Sequence, residues 1–184
     1  MLKHLNNPIV LETHGGYGKL FDACYRDVVQ GVVIEKDDQK ISWLVQQRPT
    51  WSVYQADSVS AVSDGIGAHL PVNFVDCDPY GDPWSTISAF FQSERPRVEQ
   101  LIIVVNDGLR QKLNISGGWS VKSLRDAVEI FGNDLQASYL QVCRWQMERI
   151  AAQADYTVSR FVGYYCGFND QMTHYGAVLA GKGS

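Results

Sequence analysis

Short apolar runs that alternate with helical or turn-rich segments constrain the fold of this chain more than any other feature. We predict strands at residues 8–12, 31–35, 51–56, 71–76 and 101–105. Helices are predicted between them at residues 19–30, 37–47 and 84–92. This alternation of strand and helix is typical of a parallel sheet covered by helices.

The end of the chain follows a different pattern. Two further helices are predicted at residues 121–131 and 135–154. Extended runs at 156–166 and 172–180 then flank Gly167-Phe168-Asn169-Asp170, which indicates a hairpin rather than another strand–helix unit. We therefore expect an α/β sheet closed by an antiparallel carboxyl-terminal hairpin.

Composition and charge narrow the class of protein. The chain has 184 residues, of which 45% are hydrophobic and 20% charged, as in an ordinary globular protein. No apolar run approaches the roughly 20 residues that span a bilayer, and the first residues lack the apolar core of a signal peptide. The four cysteines show no zinc-binding spacing. We expect one domain over residues 1–184, a cytoplasmic location, no membrane association and no metal.

The net charge of −4 argues against a strongly basic surface for nucleic acid. One segment is nevertheless locally basic. The charged residues between Asp107 and Asp126 are Arg110, Lys112, Lys122 and Arg125. This segment could contact phosphates or could be a solvated loop and helix face, and the sequence leaves both interpretations open.

A glycine-rich turn follows the first predicted strand, in the run Glu12-Thr13-His14-Gly15-Gly16-Tyr17-Gly18. Glycine lets a backbone turn sharply and approach a ligand, and ligands of open α/β sheets lie beyond the carboxyl ends of strands. We expect Gly16 and Gly18 to line that crevice, Gly15 to ease the turn, and His14 to lie at the ligand. The run does not match the dinucleotide fingerprint in its usual register.

Acidic residues end three successive predicted strands. Glu12 could hold an ammonium group, Glu35 could accept hydrogen bonds from ribose hydroxyls, and Asp57 could accept from an adenine amino group. Asp76, at the end of the fourth predicted strand, is a further candidate. An ammonium, a ribose and an adenine together favour S-adenosyl-L-methionine as the cofactor over a nicotinamide or a flavin.

Asp78-Pro79-Tyr80-Gly81 follows the fourth predicted strand. An exocyclic amino group on a base is a poor nucleophile because its lone pair is delocalised into the ring. The Asp78 carboxylate and the Pro79 carbonyl could accept its two N–H bonds, while Tyr80 stacks on the ring for about 1–3 kcal/mol. The same residues also form a good turn sequence, but their position after a strand favours the functional interpretation.

Over nearly its whole length the chain resembles the class I, Rossmann-like methyltransferases. The run from Glu12 to Gly18 is similar to their first motif, Glu35 and Asp57 to their ribose and adenine acids, and Asp78-Pro79-Tyr80-Gly81 to the fourth motif of amino-methyltransferases. That tetrapeptide is especially similar to the Asp-Pro-Phe-Gly motif of tRNA guanine dimethyltransferases. The resemblance implies a three-layer sandwich with a mostly parallel seven-stranded sheet ending in an antiparallel hairpin.

The resemblance also implies methyl transfer from S-adenosyl-L-methionine to an amino nitrogen, with a base of RNA or DNA as the favoured target. Gly81, Arg110 and Lys112 are the candidate substrate contacts. That dimethyltransferase subfamily has an additional carboxyl-terminal domain that this sequence does not show, so we expect a partner subunit, a homo-oligomer or an exposed target site. A protein amide or small molecule as target, and a non-catalytic cofactor-binding subunit, remain alternatives.

Overall fold

A seven-stranded sheet forms the centre of the computed structural model, which describes residue 2 and residues 5–116 and 121–181. Its strands lie in the spatial order β3, β2, β1, β4, β5, β7, β6. They are β1 (Ile9–Glu12), β2 (Gln30–Glu35), β3 (Ser52–Gln55), β4 (Phe74–Cys77), β5 (Gln100–Asp107), β6 (Tyr156–Cys166) and β7 (Met172–Gly181). The first five strands pair in parallel, and β7 pairs antiparallel with both β5 and β6. The predicted α/β sheet with an antiparallel end hairpin is confirmed.

Within these described residues six α-helices join the strands: α1 (Asp38–Gln47), α2 (Ser58–Ser63), α3 (Trp84–Gln92), α4 (Leu109–Ser116), α5 (Arg125–Phe131) and α6 (Tyr139–Gln153). The helix predicted at residues 19–30 is wrong in length. A short π-helical turn at Phe21–Tyr25 takes its place, because the chain already enters β2 at Gln30. Across the part of the chain described, no helix has the length and apolarity needed to cross a membrane.

The two faces of the sheet are covered to different extents. On one face, helices α2 to α6 bury the larger core, where Trp84 stacks on Tyr175 with ring centroids 5.8 Å apart. On the other face, the π-helical turn and α1 bury Phe21, Tyr25 and Leu44 against the strands around β1. The sheet is thus the middle of three layers, and the second outer layer covers only the β3–β1 side fully.

The rest of that second face is partly open. On β6, the Val162 and Tyr164 side chains are 42% and 61% exposed, and on the adjoining strands Val104 and Val178 are half-buried. Since strand side chains alternate between faces, these four belong to the face opposite Ile103 and Ala177, which are fully buried in the larger core. The uncovered strands leave room for a cleft beside the π-helical turn.

Candidate active site

The glycine-rich loop runs closely over β2. A Cβ atom at Gly15 would lie 2.5 Å from Val33 Cγ2 and 2.9 Å from Leu44 Cδ1, so only glycine fits without displacing them. Gly16 has a φ of +53°, a left-handed conformation that favours glycine, and a Cβ there would meet nothing within 4 Å. The loop is therefore packed on one side and open at Gly16.

Three of the predicted cofactor residues gather beside this open position. The Gly16 N–H donates to Glu35 Oε2 at 2.7 Å, and the Asp37 N–H donates to the other oxygen at 2.9 Å. Burial lowers the pKa of His14 to about 4, and the nearby carboxylates of Glu35 and Asp57 act in the opposite direction. His14 is consequently a neutral imidazole at pH 7, lying between the ends of β2 and β3.

The Glu12 side chain is buried and paired with another residue of the chain, so it does not face solvent. Its carboxylate forms an ion pair with the Arg48 guanidinium, and both side chains are buried. Arg48 lies 4.6 Å from the centre of the Phe21 ring and 5.2 Å from that of Trp51. Burial raises the pKa of Glu12, and the Arg48 charge opposes that rise. The predicted contact of Glu12 with a cofactor ammonium stays a prediction, and it must compete with Arg48.

A cleft of about 770 Å³ opens at the carboxyl ends of β4 and β5, and both Asp76 and Asp78 line it. Asp76 accepts a hydrogen bond from the Tyr25 hydroxyl, and burial raises the pKa of Asp76 to about 6. Asp78 is half-buried and accepts a hydrogen bond of 2.6 Å from Asn106 Nδ2. Burial also raises the pKa of Asp78, against the effects of Asn106 and His174. One predicted cofactor residue and one predicted catalytic residue thus share a single cleft.

The remaining residues of the tetrapeptide form a tight turn. Pro79 is buried, and its carbonyl accepts the Gly81 N–H at 2.8 Å. Tyr80 is fully exposed, so its ring is available to a ligand outside the protein. Gly81 has a φ of +130°, and a Cβ there would lie 3.1 Å from Lys112 Nζ. The Lys112 ammonium therefore lies beside the tetrapeptide.

The four cations of the basic segment have different surroundings. Arg110 lies 3.9 Å from the centre of the Tyr165 ring and donates a hydrogen bond to the Asp170 carbonyl in the hairpin loop. Lys112 lies near Gly81, whereas Lys122 and Arg125 are exposed where α5 begins. The predicted substrate contacts of Arg110 and Lys112 stay predictions, and Arg110 already has partners within the chain.

Among the cleft-lining residues that sequence reasoning missed are the polar side chains of Asn106, Tyr164 and His174. Asn106 interrupts the apolar run of β5 at its carboxyl end, which is a signal that could have been used. Tyr164 and His174 belong to the hairpin strands, where no local pattern indicates which end approaches the cleft. Asp107, by contrast, is buried among Tyr139 and Tyr175 on the other face of the sheet.

Comparison with known proteins shows the fold of this chain but assigns it to no family. No family model matches the sequence, and no curated protein matches it. Among solved structures, M. jannaschii TYW2 in complex with AdoMet is similar at 12% identity and a TM-score of 0.58, over 96% of this chain and 71% of that one. The methyltransferase domain of bacterial CtHen1-C is similar at 13% identity and a TM-score of 0.55, over 96% of this chain and 90% of that one.

The chain has a Rossmann-like methyltransferase fold. The same fold also occurs in a proposed hemolysin from Streptococcus thermophilus, which is similar at 12% identity and a TM-score of 0.64, over 100% of this chain and 63% of that one. Since one fold serves several activities, the function must be argued from the site.

Proposed function

We propose that this chain is an S-adenosyl-L-methionine-dependent methyltransferase that acts on an amino nitrogen, with a base of RNA or DNA as its target. The observation that carries the proposal is the position of Asp78, a half-buried carboxylate in a cleft at the carboxyl ends of the strands. In open α/β sheets this edge is where ligands bind. Similar folds in complex with AdoMet and with MeSAdo support the choice of cofactor.

The residues around the glycine-rich loop fit this cofactor. Gly16 is open to a ligand, and the Glu35 carboxylate beside it retains lone pairs for ribose hydroxyls. Asp57 is exposed at the start of α2, where it can accept from an adenine amino group. Because Glu12 is paired with Arg48, Asp76 in the cleft is the better placed carboxylate for the ammonium group. When bound, the cofactor supplies an electrophilic methyl carbon.

Asp78 and Tyr80 would then handle the target. The Asp78 carboxylate accepts an N–H of the amino group, which localises the nitrogen lone pair for attack. The exposed Tyr80 ring stacks on the planar base and contributes about 1–3 kcal/mol. Most of the acceleration comes from holding nitrogen and methyl carbon in line. A duplex target would need its base flipped out, whereas a loop or single strand would not.

Calorimetry with S-adenosyl-L-methionine, with a nicotinamide dinucleotide as control, tests the cofactor. We expect micromolar binding of the first alone, weaker binding by Glu35→Ala, and binding close to wild type by Asp78→Ala. Absence of binding to the wild-type chain would overturn the assignment of the loop residues.

Transfer of a labelled methyl group to RNA, DNA and protein preparations tests the target. We expect incorporation into nucleic acid by the wild-type chain and none by Asp78→Ala. Normal turnover by that variant would remove Asp78 from the reaction. If protein is labelled and nucleic acid is not, the methyl acceptor is a protein amide and not a base.

A further inference from the structure

Four side chains form a row across the carboxyl end of the sheet. Cys77 of β4 pairs with Val105 of β5, so the next residues, Asp78 and Asn106, lie opposite each other. Asn106 pairs in turn with His174 of β7, and His174 pairs with Tyr164 of β6. All four residues of this cross-strand row line the cleft.

Side-chain contacts join the four residues of the row in two pairs. The Asn106 amide donates to Asp78 Oδ1 at 2.6 Å, a bond strengthened by the charge of the carboxylate. The His174 and Tyr164 rings stack with centroids 5.4 Å apart and an angle of 7° between their planes. His174 is thereby fixed directly across from Asn106, and its charge interaction reaches Asp78.

The Asn106 amide donates to Asp78, while its own oxygen is left without a hydrogen bond from the part of the chain that the structure describes. Its Oδ1 atom is buried and accepts no hydrogen bond from any residue of the described ranges. An unsatisfied buried acceptor is destabilising, because it has lost its hydrogen bonds to water without replacing them. Rotating the amide by 180° would exchange its nitrogen and oxygen. The oxygen, an acceptor, would then face the Asp78 carboxylate, and the 2.6 Å hydrogen bond would be lost. The orientation of the amide is therefore set by Asp78 and not by the rest of its surroundings.

We propose that Asn106 is a positioning residue for Asp78: its amide holds Oδ1 of the carboxylate and leaves Oδ2 for the amino group of the target. The stacked pair of His174 and Tyr164 continues the row on the next two strands. The inference rests on the proposed function for what Asp78 binds, but not for how Asp78 is held.

Asn106 also affects the protonation of Asp78, because its hydrogen bond lowers the pKa of that carboxyl. Burial favours the neutral form of Asp78, and only an ionised carboxylate accepts the target's N–H with full strength. The ionisable groups that interact with Asp78 are Glu12 on β1, Asp76 and Cys77 on β4, and His174 on β7. Tyr25 on the π-helical turn binds Asp76, and Lys112 on α4 lies beside Gly81. Hydrogen bonding from Asn106 favours the ionised form against the neighbouring acids.

Carboxyl NMR on protein labelled with ¹³C at aspartate, with Asp78 assigned through Asp78→Asn, tests the inference without any substrate. In Asn106→Leu, which keeps the volume but removes the donor, we expect Asp78 to titrate at higher pH than in the wild type. Asn133→Ala, an exposed change in the turn before α6, should leave the titration unchanged. An Asp78 titration that is the same in folded Asn106→Leu as in the wild type overturns the proposal.

Should Asn106→Leu fail to fold, Asn106→Ala serves in its place. It also removes the donor without adding a charge, so Asp78 must again titrate at higher pH, and an unshifted titration again overturns the proposal. With total tRNA as the acceptor, we expect kcat about tenfold lower in Asn106→Leu and calorimetric affinity for S-adenosyl-L-methionine unchanged. Equal losses of affinity and kcat would indicate a merely structural role. If wild-type protein transfers no methyl group, the proposed function fails while the titration still decides how Asp78 is held.

Discussion

At the scale of single residues, the buried ion pair of Glu12 and Arg48 shapes the cofactor end of the sheet. Both side chains are withdrawn from water, and the Phe21 and Trp51 rings enclose the guanidinium. Removing one member of such a pair leaves an uncompensated buried charge. We expect Arg48→Ala to lower the free energy of unfolding by about 3–5 kcal/mol, measured by urea denaturation.

A double variant supplies the control for this ion pair. Replacing both members, as Glu12→Gln with Arg48→Met, removes both charges while keeping most of the volume. Its loss of stability should be clearly smaller than that of Arg48→Ala. If the double variant is the less stable of the two, the pair contributes through packing and not through charge.

At the scale of elements, Asp107 joins two strands and two helices. Its carboxylate accepts from the Leu109 N–H at 2.7 Å, the Tyr139 hydroxyl at 2.9 Å and the Tyr175 hydroxyl at 3.4 Å. Burial raises the pKa of Asp107 to about 7, and these hydrogen bonds oppose the rise. The folded chain thus keeps a proton that the unfolded chain releases near pH 4.

This difference in proton binding predicts a pH dependence of stability. Between about pH 4 and pH 7 the folded state binds more protons through Asp107, so its contribution to stability is present at low pH and lost as the pH rises. We expect Asp107→Asn to lose less stability than the wild type between pH 5 and pH 8 in urea denaturation. Some loss should remain, because burial also raises the pKa of Glu12 to about 8 and that of Asp76 to about 6. Identical losses in both proteins would contradict the assignment to Asp107.

At the scale of the whole molecule, a chain with 16 Lys and Arg residues against 20 acids can hold a polyanion only where its cations are locally in excess. Lys112 lies beside the tetrapeptide, and Arg110 contacts the Tyr165 ring and the Asp170 carbonyl. We expect Lys112→Ala to reduce the slope of log K against log salt by about 1 for a labelled single-stranded RNA. Fluorescence anisotropy at several salt concentrations measures this slope.

Two further variants separate binding from folding. Arg144→Ala, on the exposed surface of α6, should leave the salt slope unchanged. Arg110→Ala should lower thermal stability, because it releases the hairpin loop from α4. If Lys112→Ala leaves the salt slope unchanged, Lys112 does not contact phosphate, and the basic segment is a solvated loop and helix face.

Local patterns were sufficient for most elements of the fold. The extended run at 156–166 and the helix at 84–92 were predicted with the bounds that the structure has, since each has a continuous pattern and clear turn residues at its ends. Helices α2 and α4 were missed because they are short and carry weak apolar patterns. The helix predicted from residue 19 failed because Val28 and Val29 already belong to the approach to β2.

By itself, the sequence determined the order of the seven strands along the chain, the glycines of the loop and the acids at or just after the strand ends. Tertiary structure alone decided which of those acids face a cleft and which face another side chain. Glu12 meets Arg48 from the end of α1, and Asp78 meets Asn106 from the adjacent strand β5. The physical reason is that a residue pattern is local, whereas strand adjacency and side-chain pairing depend on contacts between distant parts of the chain.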